Sequence, residues 1–157
     1  MLGKLSPKEI EEVLQSQIIG RIGCHAGGVT YVVPISYAYN GIYIYAHTHE
    51  GKKIDMMREN PKICFEVDTM ENMANWKSVI AWGKFEELTD EKEREAGLQT
   101  LLNRMLPIIT SKTVQLSPHW PFPPEDVNNI KGIVYRLKLT EKTGRFETSN
   151  NAPFYAS

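Results

Sequence analysis

Two hydrophobic periods alternate along the chain, and the changes of period mark its elements. Ile10, Val13 and Leu14 recur at helical spacing. Before them, Ser6-Pro7-Lys8-Glu9 supplies an N-cap serine, a proline suited to the first helical position and a glutamate at the capping-box position, so a helix is predicted from Ser6 onward. The pattern then turns strand-like: "QIIGRIGCHA", "VTYVVPISYAY" and "IYIYAH" are rich in Ile, Val, Tyr and Thr and are separated by Gly27-Gly28 and Asn40-Gly41. Asn-Gly between two such runs predicts a hairpin with a type I′ turn. Pro34 lacks a backbone donor, which predicts a sheet edge or a break in the ladder at that point.

A short helix follows Gly51 and is stopped by Asn60-Pro61. "KICFEVD" and "KSVIAWGKFEEL" read as two further strands joined by the mostly polar connection 69–75. Asp90, with Glu93 three residues on, is a better helix cap than Thr89, which is followed by Lys92. Leu98, Leu101, Leu102 and Met105 carry that helix, Pro107 ends it, and "LSPHWPFPPEDV" is a proline-aromatic loop. "GIVYRLKLTEKTGRFE" closes the β-structure as one long strand or two. The expectation is a single domain over 1–157, mainly β with flanking helices, in which about six antiparallel strands close or partly close into a barrel.

Composition narrows this picture without redirecting it. Among the 157 residues, 41% hydrophobic and 24% charged content fit an ordinary globular domain. Eighteen basic against nineteen acidic residues, net −1, leave no nucleic-acid footprint and count against an oligonucleotide-binding barrel. Cys24 and Cys64 have no metal-ligand spacing and read as two buried free thiols in a reducing compartment. The N-terminus is too polar for a signal peptide and no apolar run approaches a membrane span, so a cytoplasmic protein without a membrane or nucleic-acid partner is expected.

Four stretches could carry chemistry. In "AHTHEGKKIDMM" a strand gives way to a helix whose first residues are Lys52 and Lys53, the wrong sign for the helix dipole. An anion between the lysines and the free first-turn amides resolves that conflict, with His47 and Thr48 as further donors and Gly51 allowing close approach. The alternative is a solvated surface, with Lys52 paired to Asp55 one turn on. In "VVPISYAY", Pro34 leaves a ladder donor missing, so a flat aromatic ligand could lie along the strand, where Ser36 and Tyr37 put a hydroxyl on each face; the alternative is an ordinary core strand with one polar face. In "NWKSVIAWGKFEEL", Ser78, Ile80 and Trp82 share one face, suited either to a pocket wall or to core. His119-Trp120, between prolines, suits a pocket rim. His47 and His119 are the candidate acid–base groups.

Together these stretches resemble the pyridoxamine 5′-phosphate oxidase-like flavoproteins with the FMN-binding split β-barrel. Within them the chain is most similar to the branch of the nitroimidazole-resistance proteins. The series "PISY…GIYIYAH…GKKID…NP…CF", in this order, carries the resemblance, which covers roughly residues 15–90 well. It implies a six-stranded antiparallel, Greek-key-type split barrel and a homodimer with FMN at the subunit interface. It also implies that Pro34, Ile35, Ser36 and Tyr37 run beside the flavin ring and ribityl chain, and that Ala46, His47 and Thr48 approach the ribityl-phosphate. Lys52 and Lys53 would hold the phosphate, and Ser78 would face the flavin. The implied activity is an FMN-dependent oxidoreductase acting on a small organic acceptor, of nitroreductase type. A non-catalytic flavin or haem binder on the same barrel is the alternative, with His25, His47, His49 and His119 as available histidines. Two departures stand out: "TGRFETSNNAPFYAS" lacks the family's Arg-Leu-x-Pro ending, which argues against vitamin B6 oxidation, and the clamp is two lysines where the oxidases proper have Arg and Lys.

Overall fold

The fold is given by a computed structural model that describes residues 1–105 and 130–149. Its elements are β1 (Leu2–Lys4), α1 (Pro7–Ser16), β2 (Ile19–Ala26), β3 (Val29–Ser36), β4 (Ala38–Tyr39), β5 (Tyr43–Thr48), α2 (Lys52–Glu59), β6 (Lys62–Asn72), β7 (Asn75–Glu87), α3 (Glu91–Met105) and β8 (Ile133–Glu147). His119 and Trp120, the helix stop at Pro107 and the proline-aromatic loop lie outside the described residues.

All strands join one antiparallel sheet in the order β3-β2-β6-β7-β8-β5-β4, with β1 added on β8. The sheet's two ends belong to one continuous stretch of chain. Residues 29–36 pair with β2 and residues 38–39 with β5, so the bend at Tyr37 brings the first and last strands together. This is the expected split barrel, with eight strands where the sequence suggested six. The extra ones are the three residues of β1 and the division of one predicted strand into β3 and β4 at that bend.

Local chemistry explains most boundaries. Ser6 and Glu9 form the reciprocal capping box, and Asp90 accepts from the Glu93 amide at 3.1 Å. The type I′ geometry is in the other hairpin: Gly27 and Gly28 have φ of 57° and 75° between β2 and β3. At Asn40-Gly41 only the glycine takes positive φ, and the Asn40 side chain instead accepts from the amides of Ile42 and Tyr43 at 2.9 and 2.7 Å. β6 and β7 run far into the predicted polar connection, and β8 is one strand with a register shift opposite Trp82 and Gly83.

The barrel interior holds Ile22, Ile44, Phe65, Val67, Val79, Tyr135 and Leu137, in one cluster with Val13 and Leu14 of α1 and Ile54 and Met57 of α2. Leu98 and Leu101 of α3 form a second cluster with Tyr45, Leu88 and Val134, so β5 is buried on both faces. Helix α1 ends without a C-capping glycine, and its terminal carbonyls are taken by distant donors. The Tyr37 hydroxyl donates to Leu14 at 2.8 Å, and Arg104 donates to Gln15 and Gln17 at 2.6 and 2.9 Å. The arginine also places positive charge at the favourable end of the helix. No helix among the described residues is long and apolar enough to cross a membrane.

Candidate functional site

β3 is an edge strand, as Pro34 predicted. One side pairs with β2, and among the described residues no ladder occupies the other. Alternation puts Val32, Pro34 and Ser36 on the outer face, exposed, and turns Tyr31, Val33 and Ile35 inward. Tyr37 continues into the core, fully buried, with its ring edge-on to Phe65 at 5.0 Å and its hydroxyl committed to Leu14. Burial raises its pKa. Of the two hydroxyls expected on opposite faces, only that of Ser36 is open to a ligand.

The loop after β5 leads into α2. Glu50, within it, is tied to Arg58 on the helix at 2.8 Å, and Arg58 also pairs with Glu87 at the end of β7. Gly51 precedes the helix in extended backbone, with no side-chain cap on the first-turn amides. A Cβ added there would meet only the His49 carbonyl oxygen, at 4.0 Å, so this approach is open. Lys52 and Lys53 occupy the first turn. Among the described residues neither pairs with a carboxylate, so the alternative contact from Lys52 to Asp55 is not made. Lys53 is half-buried, and that burial pulls its pKa below the usual lysine value. Lys52 lies with its Nζ 5.1 Å from the centre of the Tyr31 ring, a side-chain contact from the start of α2 to β3, while the body of α2 packs on β2.

His47 and Thr48 close β5, with Ala46 buried just before them. The His47 Nε2 is 2.6 Å from the carbonyl oxygen of Lys131, so this nitrogen carries the proton and donates. Arg94 donates to the neighbouring carbonyls of Ile130 and Gly132 at 2.5 and 3.3 Å, and the returning chain is pinned against the end of β5. A side chain at Gly132 (φ 104°) would collide with the Thr48 carbonyl at 2.6 Å and His47 at 2.8 Å. His47 is therefore already engaged in holding this segment. Burial, with lesser contributions from the nearby charges of His49 and Arg94, lowers its pKa.

Ser78 lies elsewhere on the outer face. The registers Pro34↔Arg21, Arg21↔Glu66 and Glu66↔Ile80 form one row across four strands, with Asp68 opposite Ser78 one step along. Three strand spacings separate Ser78 from β3, about 14 Å. Its Oγ donates weakly to Glu66 at 3.5 Å, beside Arg21, which pairs with Glu66 and Asp68 at 3.5 and 3.3 Å. Burial and the adjacent Asp68 raise the Glu66 pKa. Around this charged group the face is apolar and exposed: Ile19 50%, Val32 63%, Ile80 40% and Trp82 41%. Cys64 is on the same face, half-buried, opposite Trp82, whereas Cys24 is buried inside; both are free thiols. The expectation of two buried thiols holds for Cys24 alone.

The structure thus brings the α2 lysines and the strand stretch 34–37 to two neighbouring elements, places Ala46–Thr48 one loop upstream, and leaves Ser78 across the sheet. Sequence reasoning passed over Tyr31 and the Arg21–Glu66–Asp68 group. Strict alternation along β2, β3 and β6 would have put the latter on one face, but the pairing of those strands is not visible in any local stretch.

Comparisons with known proteins agree with this architecture. A relative from Rhizobium meliloti, itself uncharacterised, is 34% identical over 150 residues, covering 90% of this chain and 92% of its own. The crystal structure of an FAD-binding protein from Mesorhizobium loti matches with a TM-score of 0.74 at 28% identity, covering 94% of this chain and 99% of that one. A candidate 5-nitroimidazole antibiotic resistance protein from Bacteroides thetaiotaomicron has the same fold, with a TM-score of 0.70 at 19% identity over 93% of this chain and 87% of its own. The model of the pyridoxamine 5′-phosphate oxidase family matches residues 6–146, nearly the full length, and the chain belongs to that family.

Proposed function

We propose that this protein is an FMN-binding flavoprotein, a homodimer that passes electrons from the flavin to a small, flat organic acceptor in a nitroreductase-type reaction. The observation that carries the reading is the first turn of α2. It is uncapped and open, with two lysines that have no carboxylate partner among the described residues, beside the free edge of β3. A phosphate satisfies the first-turn amides and both ammonium groups at once, and so offsets the unfavourable placement of positive charge at a helix start. The residues present therefore fit the anionic end of FMN. Among the described residues the edge of β3 along Pro34–Ser36 is unpaired and offers backbone groups to a ring with polar rim atoms, whereas the Tyr37 amide is already donated to the Ile18 carbonyl at 2.9 Å.

When bound, the flavin supplies the two-electron chemistry. The chain's own residues bind and orient. Lys52 and Lys53 neutralise the phosphate, Thr48 and the loop to Gly51 border it, and His47 holds residues 130–132 against the β5 end. With its Nε2 engaged, His47 has only Nδ1 left for proton exchange, which makes it a structural group first. The exposed apolar outer face, with Ile19, Val32, Ile80 and Trp82, supports a second copy seated on it, and Ser78 would then lie in the interface beside the flavin. The Mesorhizobium loti neighbour is described as FAD-binding, which supports a flavin; the α2 phosphate site suits the ribityl phosphate that FMN and FAD share.

The test is the visible spectrum of the purified protein, followed by titration of the apoprotein with FMN. A two-banded flavin absorbance, or quenching of added FMN fluorescence with saturation, is expected. A protein with neither would refute the reading, and an intense Soret band would replace it with haem binding.

A further inference from the structure

We infer that Tyr31 is a positioning residue for ligand binding: its ring holds Lys52 at the mouth of the α2 anion site. The inference rests on the flavin-phosphate reading of that site and goes beyond it by assigning the two lysines different roles.

An unrestrained lysine at the first turn of a helix samples many rotamers, and each is lost when the side chain is fixed on a ligand. Lys52 is exposed and has a carboxylate, Asp55, one turn away, yet its Nζ lies 5.1 Å from the centre of the Tyr31 ring instead. That separation is within the range in which a cation is attracted to an aromatic face. The ring itself is well anchored. Tyr31 pairs with Cys24 in the β2–β3 ladder, its carbonyl accepts from the Cys24 thiol at 3.7 Å, and its side chain packs against the barrel core. No hydrogen bond fixes its hydroxyl among the described residues, so packing sets the ring plane and the ring face is the functional surface. A rigid strand residue thus restrains a flexible helix residue, which is preorganisation of a ligand group before the ligand arrives.

The same contact ties together the two elements that carry the proposed site. Tyr31 is three residues from Pro34 on β3, about 10 Å along the strand, and Lys52 begins α2. The spacing between anion site and ring-binding edge is therefore set in part by this pair. Lys53 is half-buried and, among the described residues, lies over no aromatic ring, so burial rather than a ring contact restricts it.

The experiment is a double-mutant cycle on the apoprotein with FMN and riboflavin as probes, read by quenching of flavin fluorescence. Tyr31→Phe keeps the ring and is expected to bind FMN within about twofold of the unsubstituted protein. Tyr31→Leu is expected to bind FMN about three- to fivefold more weakly with riboflavin affinity unchanged. In a Lys52→Ala background the same leucine substitution is expected to have no further effect. If Tyr31→Leu fails to fold, pentafluorophenylalanine at position 31 keeps the shape and inverts the ring quadrupole, and the same loss is expected. Additive losses in the cycle, or full FMN affinity in Tyr31→Leu while Lys52→Ala is impaired, overturn the role of Tyr31 alone. Full FMN affinity in Lys52→Ala with Lys53→Ala overturns the underlying phosphate reading.

Discussion

Replacing Tyr37 by phenylalanine separates a role in folding from a role in ligand contact. The Tyr37 hydroxyl donates to the Leu14 carbonyl at 2.8 Å from a fully buried side chain, and the acceptor lies in the last turn of α1, beyond intrahelical partners. Phenylalanine keeps the edge-on contact with Phe65, so packing changes little and the loss is the hydrogen bond plus one stranded carbonyl. A buried acceptor left in this way costs about 1–3 kcal/mol, and we take about 2 kcal/mol. For a domain of this size that lowers Tm by roughly 4–8 °C. Equilibrium urea unfolding of the apoprotein measures it, with a lower midpoint and an unchanged m-value expected. FMN affinity, measured well below the transition, is expected to stay within about twofold, because the side chain faces the core and the amide is taken by the Ile18 carbonyl. An unchanged midpoint would refute the hydrogen-bond argument. Retained stability with lost FMN binding would show that the tyrosine side chain contacts the ligand and that the strand faces the other way.

Three other outcomes follow from the same structure. The Tyr135 hydroxyl is buried without a partner among the described residues, so Tyr135→Phe is expected to raise the urea midpoint, by about 1 kcal/mol of stability; a fall would reveal a hidden partner. Burial holds the folded-state pKa of His47 below its usual 6.5. The unfolded chain therefore takes up a proton first as pH falls: stability from this group is full above about pH 6.5 and is lost below it, down to the folded pKa. His47→Gln, which keeps a donor for Lys131, should flatten the stability slope between pH 7 and 5 by up to one proton, and an identical slope would contradict the assignment. Ile80→Glu introduces a second negative charge directly opposite Glu66, at an exposed apolar position of the outer face. Sedimentation should find a dimer for the unsubstituted protein and a monomer for the variant, and a monomer in both cases would remove the proposed interface.

The sequence carried the local decisions well because each rests on a few adjacent residues. Ser6 with Glu9, Asp90 with Glu93 and the apolar spacing of α1 and α3 are all short-range signals, and Pro34 marked an edge strand by its missing donor. What it lost were choices made by tertiary pairing. Asn40-Gly41 looked like the better type I′ turn, but the Asn40 side chain found two amides and took a different geometry, while Gly27-Gly28 accepted the positive φ angles. Leu2–Lys4 becomes a strand only because β8 is long enough to receive it. Of the site residues, the lysines at Gly51-Lys52-Lys53 were visible as a charge conflict with the helix dipole. Tyr31 was hidden inside an ordinary strand pattern because its partner lies on another element. Tyr37 had the right polarity for a ligand contact, but α1 needed its hydroxyl.

In the proposed function, α2 and β3 together hold an extended ligand by its phosphate end. The most direct measurement compares FMN with riboflavin, which lacks the phosphate, on the unsubstituted protein and on Lys52→Ala with Lys53→Ala. FMN is expected to bind far more tightly than riboflavin, and the double substitution is expected to weaken FMN by at least about tenfold, roughly 1.4 kcal/mol, leaving riboflavin unchanged. Equal affinities for the two flavins, or an FMN affinity that survives the loss of both lysines, would contradict this reading.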